Sequence, residues 1–172
     1  NRIYVLASNG VTIWTVSPQK YFDLPGHTAY INSMEFNSDG SRILTASADQ
    51  TARVWDAVTG RLLLTVGDSS GAIRKALFSS DGSRIITQTA TNLFVAWNAL
   101  TGQKLYSFYP GDKDHSFIQL PSGYYQSSPE YSKLLHYVTP DLKVLSFESL
   151  DVKYNRPDKV LEAIGNKDTA LI

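Results

Sequence analysis

Three side chains in one short stretch are of the types that build a hydrolytic triad: His27, Ser47 and Asp49. A serine nucleophile needs a base to take its proton and a carboxylate to orient that base, and these residues could fill each role. The same chemistry needs an exposed Oγ beside amide donors. A G-x-S-x-G elbow would provide that arrangement, and none occurs in the chain. No catalytic residue is therefore expected. The histidines His27, His115 and His136 are widely separated and there is no Cys, so no zinc-type metal site is expected. Asp112-Lys113-Asp114 opens like a calcium loop. Its sixth position would be Phe117 where Gly is needed, and its twelfth Gly123 where a bidentate Glu is needed. Gly67 to Gly71 is rich in Gly but lacks the Lys-Ser/Thr of a phosphate loop, and no cofactor is expected.

The elements that carry these residues repeat. Phe36 to Gly60 aligns with Phe78 to Gly102 at an offset of 42, and 13 of the 25 positions are identical. Asp39-Gly40-Ser41-Arg42 matches Asp81-Gly82-Ser83-Arg84, Trp55 matches Trp97, and Trp14 lies 41 residues before Trp55. Each unit reads as four short strands with tight turns: Ile31 to Phe36, Arg42 to Ser47, Thr51 to Trp55 and Arg61 to Val66 in the clearest one. Four strands per unit make one propeller blade, which must stack on neighbours to bury its faces.

Composition agrees with that reading. The 172 residues are 42 % hydrophobic and 12 % aromatic, with ten Tyr, seven Phe and one Met, a mix that favours strands. Sixteen basic residues balance sixteen acidic ones, so neither a nucleic-acid partner nor an anionic membrane is expected. No apolar run approaches a membrane span and no signal peptide is visible, and a cytoplasmic location is the working expectation. The chain begins in mid-strand without Met, as a piece of a longer polypeptide would.

Gly26-His27, Asp49 and Trp55-Asp56, in the order LPGHTAYINSMEFNSDGSRILTASADQTARVWD, resemble a nearly complete WD40 repeat. The next unit is degenerate: Ser69 stands for the His, Thr91 for the Asp, and Trp97-Asn98 for Trp-Asp. The resemblance implies an all-β, WD40-type β-propeller fragment of about four blade-like units with a short C-terminal helix. The units span about 1–24, 25–66, 67–109 and 110–149, followed by a linker at 150–172 with a helix at 157–164. It also implies that His27, Ser47, Asp49 and Trp55 form a buried structural hydrogen-bond network, with Thr45 as the alternative to Ser47.

The second half carries another resemblance. Pro121-Ser122-Gly123-Tyr124-Tyr125 and Leu150 to Asp158 are similar to the segment that joins bacterial WD40 repeats to a caspase-like peptidase domain. On that reading the catalytic His and Cys lie beyond Ile172. The function implied is a non-catalytic protein-interaction or scaffold module, the regulatory or sensing part of such a peptidase. Its partner would be a protein or peptide, and the remaining blades or another chain would complete the propeller. The family's exposed rim maps onto Tyr30, Asn32 and Ala48 in the second unit and Ala72, Arg74 and Ala90 in the third. Tyr30, Asn32 and Arg74 are the candidate partner-binding residues. The alternative is a propeller enzyme or small-ligand binder using the central channel. That would need convergent polar groups, where the inner strands offer Ile31-Asn32-Ser33-Met34 and Ala72-Ile73.

Overall fold

The computed structural model describes residues 2–6, 11–16, 19–111, 116–128, 136–138, 144–146 and 154–165. The chain divides into two units, Asn1–Gln103 and Lys104–Ile172.

Among the described residues, the first unit holds ten antiparallel strands. Arg2–Leu6 (β1), Val11–Val16 (β2) and Gln19–Asp23 (β3) form a three-stranded sheet in chain order. Ile31–Phe36 (β4), Arg42–Ser47 (β5), Ala52–Asp56 (β6) and Leu62–Val66 (β7) form a four-stranded sheet, again in chain order. Ile73–Phe78 (β8), Arg84–Thr89 (β9) and Phe94–Asn98 (β10) repeat the first three of those strands one period later. The tight turns fall where the Asp-Gly pairs predict them. Gly40 and Gly82 both take a left-handed conformation (φ +71° and +70°), which a side chain would strain. The Asp39 and Asp81 carboxylates accept the amides of Ser41 and Ser83 at 2.7 and 3.0 Å.

Stacking explains the burial. Every residue from Ile43 to Ser47 is buried because β5 lies between two apolar layers. Ile43 joins Val11, Ile13, Leu24, Ile31, Trp55 and Ala57 on one side. Leu44 and Ala46 join Val54, Val66, Ile73, Ile85, Val95 and Trp97 on the other. A strand covered on both faces loses the polar-out alternation expected of a half-buried one.

Side chains of β4 also serve the backbone of β8. The Asn32 amide donates to the Ile73 carbonyl at 2.8 Å, Ser33 Oγ accepts from the Ala76 amide at 3.2 Å, and Glu35 accepts from the Phe78 amide at 3.4 Å. These bonds occupy groups of an innermost strand that no ladder reaches.

The second unit contains a meander of Lys104–Pro110 (β11), Ser116–Gln119 (β12) and Tyr125–Ser127 (β13), paired in chain order. His136–Val138 (β14) and Val144–Ser146 (β15) pair as a hairpin. The segment Ser116 to Leu120, expected to open a fourth blade-like unit, is the strand laid against β11. The predicted helix is present at Pro157–Ile164 (α1), with Pro in its first turn and Gly165 closing it at φ +87°. It packs on β13 and β11 with Val160 fully buried. His115 and the Asp112–Asp114 loop lie outside the described residues.

Candidate functional site

Gly26 delivers His27 into the second sheet. Its φ is +121°, and a Cβ there would collide with the Arg53 guanidinium, so the bend into His27 requires glycine. His27 Nδ1 lies 2.8 Å from an Asp49 carboxylate oxygen, and His27 Nε2 lies 2.8 Å from Thr45 Oγ1. The Trp55 indole N–H donates to the same Thr45 oxygen at 2.9 Å. An ionised Asp49 can only accept, so Nδ1 carries the proton and Nε2 is the acceptor. The hydrogen bonds then run in one direction: Trp55 N–H to Thr45, Thr45 O–H to His27 Nε2, His27 Nδ1–H to Asp49. His27, Thr45 and Trp55 are all buried.

The hydroxyl at the centre of this network is therefore that of Thr45 and not of Ser47. Thr45 and Ser47 point to the same face of β5, two residues apart, so alternation does not separate them. Reach does. Thr45 sits opposite Arg53, two positions along from Trp55, where the indole can span the diagonal. Ser47 is buried too, but it donates to the Ala29 carbonyl at 3.2 Å and accepts the Asp49 amide at 3.1 Å, closing the turn. The sequence signal lay in the repeat. Thr87 stands one period after Thr45, and Trp97 donates to Thr87 Oγ1 at 2.9 Å.

Electrostatics agree with a structural role. Burial pulls the His27 pKa below 6.5 and outweighs the opposing hydrogen bond and charge of Asp49. Burial alone would raise Asp49, but hydrogen bonds from Thr51, His27 and the Thr28 and Thr51 amides hold it well below the usual carboxylate range. Asp49 is thus an anion fixed by donors, Thr51 Oγ1 at 2.6 Å among them. The neutral imidazole has both nitrogens occupied. The hydroxyls beside it are those of Thr45, which is buried, and Thr51, 3.4 Å from Nδ1, whose O–H is given to Asp49, so the group has the pairing of a structural network.

In the third repeat only half of this network survives. The Trp97–Thr87 bond remains, and Thr89 and Thr91 bond each other at 2.9 Å near the place of the lost Asp.

Of the three candidate contact residues, Tyr30 is 68 % exposed and Arg74 is exposed. Asn32 is exposed as well, and its side-chain amide also donates to the Ile73 carbonyl. Ala90 is exposed, while Ala48 and Ala72 are half-buried. Among the described residues no three His, Cys, Asp or Glu cluster as a metal site would require. No helix among them is long and apolar enough to cross a membrane.

The two segments singled out in the second half meet in space. Tyr125 and Asn155 form a parallel bridge, and the Arg156 amide donates to the Tyr125 carbonyl at 2.8 Å. The Arg156 guanidinium grips Asp158 with two bonds, at 2.8 and 2.6 Å, and lies 6.0 Å from the Tyr124 ring centroid. Arg156 lowers the Asp158 pKa to about 2.

Geometry of this kind defines the blade of a WD40 repeat, and residues 18–56 match the family model "WD domain, G-beta repeat". A WD40 repeat is thus present in the chain. A 55-residue stretch, 31 % of the chain, is 38 % identical to "Apoptotic protease-activating factor 1" of Mus musculus and covers 4 % of that protein. A 48-residue stretch, 28 % of the chain, is 38 % identical to "COMPASS component SWD3" of Saccharomyces cerevisiae and covers 15 % of it. A third, of 53 residues or 31 % of the chain, is 36 % identical to "Protein pleiotropic regulator PRL2" of Arabidopsis thaliana and covers 11 % of it. In each case the likeness spans a small part of the relative's own length.

Proposed function

We propose that this chain is a non-catalytic protein-interaction module of WD40 type and the regulatory or sensing part of a larger caspase-like peptidase. One observation carries the first half. Among the described residues, the constellation that resembles a catalytic triad has its polar groups paired inside a blade through Trp55, Thr45, His27 and Asp49. What is left for function is surface, and Tyr30 and Arg74 are exposed residues of types that anchor protein partners. Relatives named as a protease-activating factor and as a COMPASS component carry the matching stretch.

The peptidase half rests on the segments around Tyr124-Tyr125 and Asn155-Arg156-Pro157-Asp158, whose likeness to a peptidase-joining region is accompanied by mutual contact. Further blades, from the same polypeptide or another chain, complete the propeller in this reading.

Two measurements test it. The chain alone should turn over neither peptide nor glycoside substrates, and any turnover refutes the non-catalytic assignment. The parent reading frame past Ile172 should encode an α/β domain with a His and Cys pair. An unrelated domain refutes the peptidase assignment while leaving the interaction module intact.

A further inference from the structure

The second unit holds a cavity of about 200 Å³ where β11 begins and β12 ends. Lys104, Ser107, Gln119, Leu120, Pro121 and Gly123 line it. Ser107 and Gln119 stand directly opposite each other in the ladder, so their side chains leave the same face of the sheet. The chain then turns from Leu120 to Tyr124, with Gly123 left-handed at φ +87°. Two amides of this turn are spent on it. Leu120 N–H donates to the Tyr124 carbonyl at 2.8 Å, and Gly123 N–H donates to the Leu120 carbonyl at 3.0 Å.

Ser107 is the unusual member of this set. It is only 6 % exposed, and among the described residues its hydroxyl forms no hydrogen bond. Most buried side-chain polar groups have a partner, because an unpaired one costs free energy. This one stands on the wall of the cavity. Lys104 adds three N–H donors and no acceptor, and the Gln119 amide adds two donors. No acidic side chain lines the cavity among the described residues, so donors prevail there. Leu120 and Pro121 supply an apolar wall. The volume lies below the roughly 300–1,000 Å³ of pockets for drug-sized ligands, so the occupant is small.

We propose that this cavity binds a small organic carboxylate. Its oxygens accept from the Ser107 hydroxyl, the Lys104 ammonium and the Gln119 amide, and its short aliphatic body lies on Leu120 and Pro121. A carboxylate is acceptor-only when ionised, which matches a lining made of donors. Hydrogen bonds to an ionised acceptor are stronger than neutral ones, so the acid is favoured over an amide of the same shape. The site involves none of the exposed residues assigned to a protein partner, and it stands or falls apart from that assignment.

Amide-resolved NMR titration of the full chain tests this. The probes are butyrate, its neutral isostere butyramide, and acetyl-alanyl-leucine, which carries its carboxylate on a chain end. Butyrate should shift the amide signals of Ser107, Gln119, Leu120 and Gly123 saturably, and bind about tenfold more tightly than butyramide. Ser107→Ala and Lys104→Met should each weaken butyrate binding about fivefold or more, while Arg61→Met in the first unit should leave it unchanged. Far-UV circular dichroism confirms that each variant is folded. Gln119→Leu, at an exposed position, should also weaken binding and serves where Ser107→Ala does not fold. Butyrate shifts that do not saturate overturn the proposal and leave the cavity to solvent. Equal binding of butyramide, an equal loss in Arg61→Met, or tighter binding of the larger acetyl-alanyl-leucine overturns it too.

Discussion

Replacing Thr45 by Val isolates one hydroxyl from one side chain of nearly equal shape, so the loss is polar and leaves no cavity. Thr45 is fully buried, and its Oγ1 serves two buried partners, the Trp55 indole N–H and His27 Nε2. Each orphaned group costs about 1–3 kcal/mol of lost solvation. The two share one atom and so do not add in full, which gives about 3 kcal/mol for the substitution. In a unit of roughly 100 residues that corresponds to a fall in Tm of roughly 12–24 °C. Ser47→Ala is the internal comparison. Ser47 makes longer bonds to Ala29 and Asp49 at the turn, and its loss should cost about 1 kcal/mol. Thr45→Ser keeps the hydroxyl and should recover most of the stability. Urea unfolding followed by Trp fluorescence and by circular dichroism reads all three. A Thr45→Val effect no larger than that of Ser47→Ala would refute the assignment of the central hydroxyl.

Three further outcomes follow from the geometry. His27 has a lowered pKa in the fold, so its share of stability is complete above 6.5 and falls as pH drops through 6.5 toward the folded value. Asp49, also lowered, adds a second loss only below 3.8, and urea midpoints against pH should show a decline from about pH 7 that His27→Gln flattens. Gly67→Ala should destabilise the second sheet by about 2 kcal/mol, because a Cβ there collides with the Gln50 carbonyl oxygen; Gly67→Ala matching the wild type in Tm would contradict this. Val160→Ala removes two methyl groups from a fully buried site and should cost about 2 kcal/mol, read as faster amide exchange in α1 and β13 together. Faster exchange in α1 alone would show that the helix is not part of the second unit's cooperative fold.

Strand positions in the first unit were legible because two signals coincide there. Asp-Gly turns fix the hairpins at Gly40 and Gly82, and the repeat of the sequence places the strands between them. His27, Asp49 and Trp55 were readable from type and spacing. The choice between Thr45 and Ser47 was not, since both lie on one face and only the indole's reach across β5 and β6 decides it. Asn32 carries a feature of the same kind. It is exposed, as its place on the family's rim implies, but the bond of its amide to the Ile73 carbonyl, 41 residues away, has no local sequence signal. The contact between Tyr125 and Asn155 is also long in range, and no local pattern announces a parallel bridge of that span.

The bonds from Asn32, Ser33 and Glu35 to the backbone of β8 run one way along the chain. One period later the same positions hold Arg74, Lys75 and Leu77. The basic pair can donate but not accept, and Leu77 can do neither. The accepting roles of Ser33 and Glu35 therefore have no counterpart at Lys75 and Leu77, as in a one-dimensional array whose neighbour terms differ from link to link. The second repeat templates the third, whose own His and Asp are missing. A repeat that has lost half its internal network can thus keep its place through its predecessor's side chains. The order matters for tolerance to change: damage to the inner strand of the second repeat should spread forward into the third.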